Sequence, residues 1–172
     1  MKVLGLAGWS GAGKTTLVCK LIPELTGRGY RISTVKHAHH NFDVDTPGKD
    51  SYQHRQAGAT EVLVSSAKRW ALMHELREED EAPAEALLAK LAPVDLVLIE
   101  GFKKEGHEKI EVYRRALGKP LLAVEDPAVV AVLSDGPVPE TELPVIDLDD
   151  TSAIADFVER HCGLGGADRR RA

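Results

Sequence analysis

Gly8-Trp9-Ser10-Gly11-Ala12-Gly13-Lys14-Thr15 fits the spacing G-x-x-x-x-G-K-[ST] without a gap. The chemistry such a turn supports is phosphate binding. Its glycines leave main-chain N–H groups free to curl around oxygens, and a helix opening there points its positive end at the same place. Lys14 brings a point charge to β- and γ-phosphates and should face solvent when nothing is bound. The Thr15 hydroxyl suits Mg²⁺, and Thr16 reaches an α-phosphate. The expected cradle is therefore Gly8, Ser10, Gly11, Ala12, Gly13, Lys14, Thr15 and Thr16. A Mg-nucleotide site also draws on an acid at the end of a second buried strand. Glu100 closes the apolar run Asp95-Leu-Val-Leu-Ile-Glu100 and fills that role, holding Mg²⁺ through water or orienting an attacking water. Lys14 and Glu100 are the expected catalytic residues, and Thr15 and Glu100 the expected metal contacts. Asp95 stands at the wrong end of the same strand and reads as a strand-start residue.

A second concentration of chemistry lies in residues 35–59, with His37, His39, His40, His54, Asp43, Asp45 and Asp50. Imidazoles and carboxylates suit Zn²⁺ or Ni²⁺. Asp43 and Asp45 suit the base and metal partner of a kinase acceptor site. Lys36, Lys49 and a helix beginning at Ser51 suit a second anion, with Asp50 capping or orienting the turn and His37 and His39 facing one way on an extended segment. The anion reading is preferred, because a metal needs three or four convergent ligands and no cysteine is near.

These residues need elements to hold them. Strands are expected at Lys2–Ala7, Tyr30–Lys36, Glu61–Ser65, Arg69–His74, Asp95–Glu100, Lys109–Tyr113, Leu121–Val124, Val129–Leu133 and Val145–Ile146, the third and fourth forming a hairpin. Helices are expected at 13–28, where Leu17, Leu21 and Leu25 recur every four residues, at 51–57, after Pro83, and at Thr151–His161. Strands separated by helices give an α/β fold of the P-loop NTPase-like type, a mainly parallel sheet flanked by helices. Ligands of such a sheet sit at the carboxyl ends of its strands. The length of 172 residues suits a single nucleotide-binding domain over 1–162, with a flexible tail over 163–172.

The net charge of −5 argues against nucleic acid or a membrane surface as partner. No apolar run reaches the roughly 18 residues of a membrane span, and the start is too short for a signal peptide. Cys19 and Cys162 are far apart and read as reduced thiols of a cytoplasmic protein. The guanine-reading pattern N-K-x-D is absent; Ser65–Lys68 resembles another base-contact motif of switch GTPases but comes too early in the chain. With no second P-loop and no arginine-rich sensor, a motor ATPase is disfavoured.

The combination of motifs is more specific than any one of them. The P-loop is followed by Lys36-His37-Ala38-His39-His40, Asp45-Thr46-Pro47-Gly48-Lys49-Asp50-Ser51, Ala57-Gly58-Ala59, Glu100-Gly101-Phe102-Lys103, Lys109-Ile110-Glu111-Val112-Tyr113-Arg114 and Val132-Leu133-Ser134-Asp135. In this order they resemble the MobB family, the adaptors of molybdopterin-guanine dinucleotide biosynthesis. The resemblance implies binding of GTP and Mg²⁺, weak GTPase activity and a homodimer. It implies a partner in the guanylyltransferase that joins GMP to molybdopterin, and molybdopterin or its guanine dinucleotide as a bound ligand. Guanine preference would fall to Asp135, whose carboxylate can accept from guanine N1–H and N2–H₂. Glu108 stands where members often have proline, which puts the role of Lys109 in question. The rivals are a small-molecule kinase, whose lid would have to come from Arg114-Arg115, and a metal-insertion GTPase using His37, His39 and His40.

Overall fold

A computed structural model describes residues 1–38, 42–102 and 105–166. The chain packs as two compact units, where the sequence reading placed everything to residue 162 in one. The larger comprises Met1–His37 and the chain from Ala84 onward, the smaller Ala38–Pro83.

The larger unit is built on a six-stranded sheet of β1 (Lys2–Ala7), β2 (Ile32–Lys36), β5 (Leu96–Glu100), β6 (Lys109–Tyr113), β7 (Val129–Ser134) and β8 (Val145–Asp147). The order is β2-β5-β1-β6-β7-β8, and every pairing is parallel. Alternation along β5 explains its unbroken apolar run. Leu96 and Leu98 enter one core, Val97 and Ile99 the other. The first core is completed by helices α1 (Lys14–Gly27) and α4 (Thr151–Cys162), through Leu17, Leu21, Leu25, Ile154 and Val158. The second takes Ala84 and Leu88 from the short α3 (Ala84–Leu88). Arg28 fastens α1 to α4, reaching Glu24 at 2.8 Å, Asp156 at 2.6 Å and Glu159 at 2.7 Å. β2 starts later than expected because Tyr30 N–H turns back to Leu25 O and closes the end of α1. Leu164 is buried in the first core, so packing continues past the boundary expected at residue 163.

One expected strand is absent. Residues Leu122–Val124 form a 3₁₀ turn. The cause is Glu111, which is fully buried in β6 and accepts from Leu122 N–H at 2.9 Å and Ala123 N–H at 2.8 Å. With those donors taken by a side chain, the segment cannot join the ladder. Burial pushes the Glu111 carboxyl above its ordinary value, and the two N–H bonds pull it back only in part. Glu111→Gln lifts the cost of the buried charge. It can accept from only one N–H, however, and turns its NH₂ toward the other. Because an unmet donor costs about 1–3 kcal/mol, we expect a net loss of about 2 kcal/mol, a fall in Tm of about 4–8 °C. The raised pKa has a definite sign. Wild type loses this part of its stability as pH rises from 4.5 through the folded-state value. Thermal melts between pH 4 and 7 should show that slope in wild type and lack it in the variant.

The smaller unit holds α2 (Asp50–Gln56) and the antiparallel hairpin of β3 (Glu61–Ser65) and β4 (Trp70–His74). The Ser66 hydroxyl, bonded to Arg69 O at 3.1 Å, shapes the hairpin turn. Ser65–Lys68 thus leads into a hairpin turn. Arg55 draws in Asp43 at 2.6 Å, Asp45 at 2.9 Å and Glu75 at 3.3 Å. Asp45, with a side chain only 3% exposed, is committed to that pair, which leaves neither aspartate poised as a kinase base.

Candidate nucleotide site

The P-loop follows β1. Gly8 has φ +136°, and a Cβ there would lie 2.5 Å from Val112 O, so only glycine lets the loop leave the sheet beside β6. Gly13, with φ 103°, is the N-cap of α1; its lack of a side chain leaves the first turn uncapped, and that turn carries no acid. The N–H groups of the first turn and the helix dipole face one way, with no acid in the turn itself to repel an anion. Ser10, Gly11, Thr15 and Thr16 are exposed around the turn, while Ala12 is buried beneath it. These features fit a phosphate chain.

Lys14 departs from expectation. It is half-buried, and its ammonium donates to Gly8 O at 2.8 Å and Trp9 O at 3.1 Å. The loop's own carbonyls hold the charge at its mouth until a stronger acceptor arrives. Thr15 Oγ1 donates to Glu100 Oε1 at 3.3 Å, which brings the two expected metal contacts together. Strand register accounts for this. Glu100 pairs with Leu6 on one side and Lys36 on the other, so the three strands end level. Lys36 Nζ stands 3.8 Å from Glu100 Oε2, and His37 N–H donates to Glu100 O at 2.8 Å. The His37 ring lies 4.6 Å from Phe102, and a Cβ on Gly101 (φ +104°) would meet His37 Cβ at 2.6 Å. Glu-Gly-Phe thus supplies a carboxylate, a close approach and a platform in sequence.

On the other side of β1 the structure adds a residue that sequence reasoning did not place in the site. Arg114 Nε donates to Ala12 O at 3.2 Å, and Nη1 reaches Asp135 Oδ2 at 2.7 Å. The available signal was an arginine directly after a strand on the ligand side of the sheet. Trp9 Nε1 donates to Pro120 O at 2.8 Å, so the chain after Arg114 also supports the loop.

Lys49, Asp50 and Ser51 belong to the smaller unit. Lys49 is the N-cap of α2 and Asp50 its first residue, so Asp50 does not cap the turn; it sets a negative charge at the helix's positive end, which works against an anion there. His39 and His40 lie outside the described residues. Among the described residues no group of three or more His, Cys, Asp or Glu side chains is placed to hold a metal. Lys109 is buried at the amino end of β6, bonded to Glu105 O and Asp126 Oδ2, both at 3.0 Å, far from the chemistry. Asp95 accepts from Arg31 N–H at 2.7 Å, the strand-start role expected of it; that bond holds its carboxyl below the ordinary range.

A family described as "Molybdopterin guanine dinucleotide synthesis protein B" (MobB) matches residues 3–135, from β1 through Asp135. The chain belongs to the MobB family. It is 46% identical over 159 residues to the molybdopterin-guanine dinucleotide biosynthesis adapter protein of Escherichia coli (strain K12), covering 91% of this chain and 90% of that protein. It is 42% identical over 157 residues to the adapter protein of the same description from Haemophilus influenzae, covering 91% and 87%. The crystal structure of molybdopterin-guanine biosynthesis protein B superposes with a TM-score of 0.74 at 28% identity, over 92% of this chain and 99% of the other. The MobB homologue of Bacillus stearothermophilus gives 0.71 at 25% identity, over 95% and 99%. The MobB fold is a P-loop nucleotide-binding fold, as expected from the sequence. Within it, the Lys-Ile-Glu-Val-x-Arg motif spans a strand. Lys109 and Glu111 secure the strand, and only Arg114 reaches the site. Glu108 bonds His161 of α4 at 2.8 Å.

Proposed function

We propose that this chain is an adapter of molybdopterin guanine dinucleotide biosynthesis that binds GTP and Mg²⁺ at the P-loop, hydrolyses GTP weakly, and assists the guanylyltransferase that joins GMP to molybdopterin. The observation that carries the nucleotide part is the convergence of Lys14, Thr15 and Glu100 on the uncapped start of α1. Lys14 would trade two loop carbonyls for phosphate oxygens, and Thr15 and Glu100 would hold the metal. Held there, Mg²⁺ would supply positive charge to offset that of the phosphates. Asp135 would read guanine. Lys36 and His37, beside Glu100, would receive molybdopterin or its guanine dinucleotide. Two free cysteines, and no helix among the described residues long enough to cross a membrane, accord with a cytoplasmic setting.

The homodimer has a physical motive in the hairpin. Leu63 and Leu72 pair across it, and Trp70 lies two residues along the same face; they are 61%, 46% and 67% exposed. A two-stranded hairpin that leaves such a face bare is costly in water, and covering it with a second copy would remove the cost.

The experiment is equilibrium binding of GTP and ATP side by side, with and without molybdopterin. We expect GTP to bind more tightly, and His37→Ala to weaken molybdopterin while leaving GTP nearly intact. Equal GTP and ATP affinities would count against guanine reading; loss of bound Zn²⁺ with normal pterin binding would favour metal insertion. Sedimentation of the same samples should give a dimer, and a monomer would remove the hairpin's role.

A further inference from the structure

We propose that Arg114 is a positioning residue that joins the P-loop main chain to Asp135 and so fixes the side of the site where the base is read. The inference rests on the reading of the P-loop as a GTP site.

Three strand ends define the geometry. Glu100 closes β5, the P-loop follows β1, Arg114 follows β6, and these strands are neighbours in that order. The contact of Thr15 with Glu100 marks the β5 side as the side of the metal and terminal phosphate. A nucleotide with its phosphates in the loop therefore extends its base toward β6 and β7. Arg114 and Asp135 stand there, Asp135 directly after the last residue of β7.

The guanidinium spans two segments. Nε donates to Ala12 O at 3.2 Å, and Nη1 to Asp135 Oδ2 at 2.7 Å. A Cβ on Gly13 would come within 3.9 Å of Nε and Nη2, so the side chain lies along the loop beside the start of α1. Arginine suits this because its donors leave a rigid plane in fixed directions, which one ammonium cannot imitate. Stability is a poor account of the arrangement. The two side chains are 35% and 36% exposed, and ion pairs so exposed add little. Orientation is the better account. A carboxylate has about four acceptor sites, so one N–H from Arg114 leaves capacity for two guanine donors while setting the plane in which they are met.

The arm itself is fixed. Glu111, three residues before Arg114, is fully buried and holds Leu122 and Ala123, and Trp9 holds Pro120. Arg114 thus sits between two anchored points, unlike a mobile kinase lid.

The test compares wild type, Arg114→Ala and Arg114→Lys for binding of GTP, ATP and inorganic tripolyphosphate, with thermal melts as a fold control. We expect Arg114→Ala to lower GTP affinity about tenfold, as for a charged group removed from a partly exposed site, with ATP and tripolyphosphate changed less than about threefold, so that the GTP-to-ATP ratio collapses. Lysine should not restore the ratio. Asp135→Asn should gain xanthosine triphosphate, whose C2 carbonyl needs a donor, and should lose that gain when Arg114→Ala is added. Equal losses of all three ligands would place Arg114 on the phosphates and overturn the proposal. So would an unchanged ratio, rescue by lysine, or a wild type indifferent to the base. A folded wild type that binds no tripolyphosphate and no nucleotide marks the different failure, that of the P-loop reading itself.

Discussion

Lys14→Ala should lose GTP and tripolyphosphate together, by about 150-fold or more, equivalent to about 3 kcal/mol for a charged contact removed from a hydrogen-bonded site. The loss should be uniform across bases, because Lys14 meets phosphates only. It should also cost a little stability, which the sequence alone did not suggest. A solvent-facing lysine could be removed freely, but Lys14 donates to Gly8 O and Trp9 O. Two such bonds are worth about 1–2 kcal/mol together, a fall in Tm of about 2–8 °C for a chain of this size. The same bonds imply that measured affinity understates the lysine's attraction for phosphate, since binding first breaks them. Titration calorimetry and a melt on one preparation check both parts. Affinity within threefold of wild type would remove Lys14 from the cradle, and an unchanged Tm would mean that the loop carbonyls do not need it.

What was legible in the sequence follows from range. The P-loop is one turn between a strand and a helix, so its conformation is dictated locally, and Gly8, Gly13 and Thr15 stand as their spacing requires, while Lys14 folds back onto the loop's own carbonyls. The strand Leu96–Glu100 was legible because burial on both faces leaves an unbroken apolar run. Residues Leu121–Val124 misled for the same reason. Apolar and β-prone, they read as a strand, and only Glu111, ten residues earlier and folded against them, makes them a turn. Arg114 reads in the sequence as part of a motif or of a kinase lid, and its place beside the P-loop is not legible there, since its partners Ala12 and Asp135 are distant in sequence. Asp43 and Asp45 had the residue types of a catalytic pair. The competing demand came from Arg55, whose guanidinium takes both carboxylates. In each case residue types were right, and a long-range contact decided their use.

Glu100→Gln should reduce GTP hydrolysis about 100-fold, the size of effect seen when one electrostatic contact is removed from a transition state, while GTP affinity changes less than about fivefold. The substitution keeps the shape and one acceptor for the Thr15 hydroxyl, 3.3 Å away, and removes the charge. Charge matters here because the side chain is only 19% exposed, so water screens it weakly. Lys36, at 3.8 Å, would lose its counter-charge and become free to approach phosphate oxygens, which should partly offset any loss of binding. The two roles open to Glu100 then separate by metal dependence. If the carboxylate supports Mg²⁺ directly or through water, the variant needs more Mg²⁺ for half its maximal rate, and excess metal recovers part of the loss. If it orients the attacking water, the metal curve stays where it was and only the plateau falls. Single-turnover hydrolysis across a Mg²⁺ series reads both quantities. A variant that hydrolyses GTP at the wild-type rate would leave Glu100 as a tether for Thr15 and the end of β5, and the catalytic acid would have to be sought elsewhere.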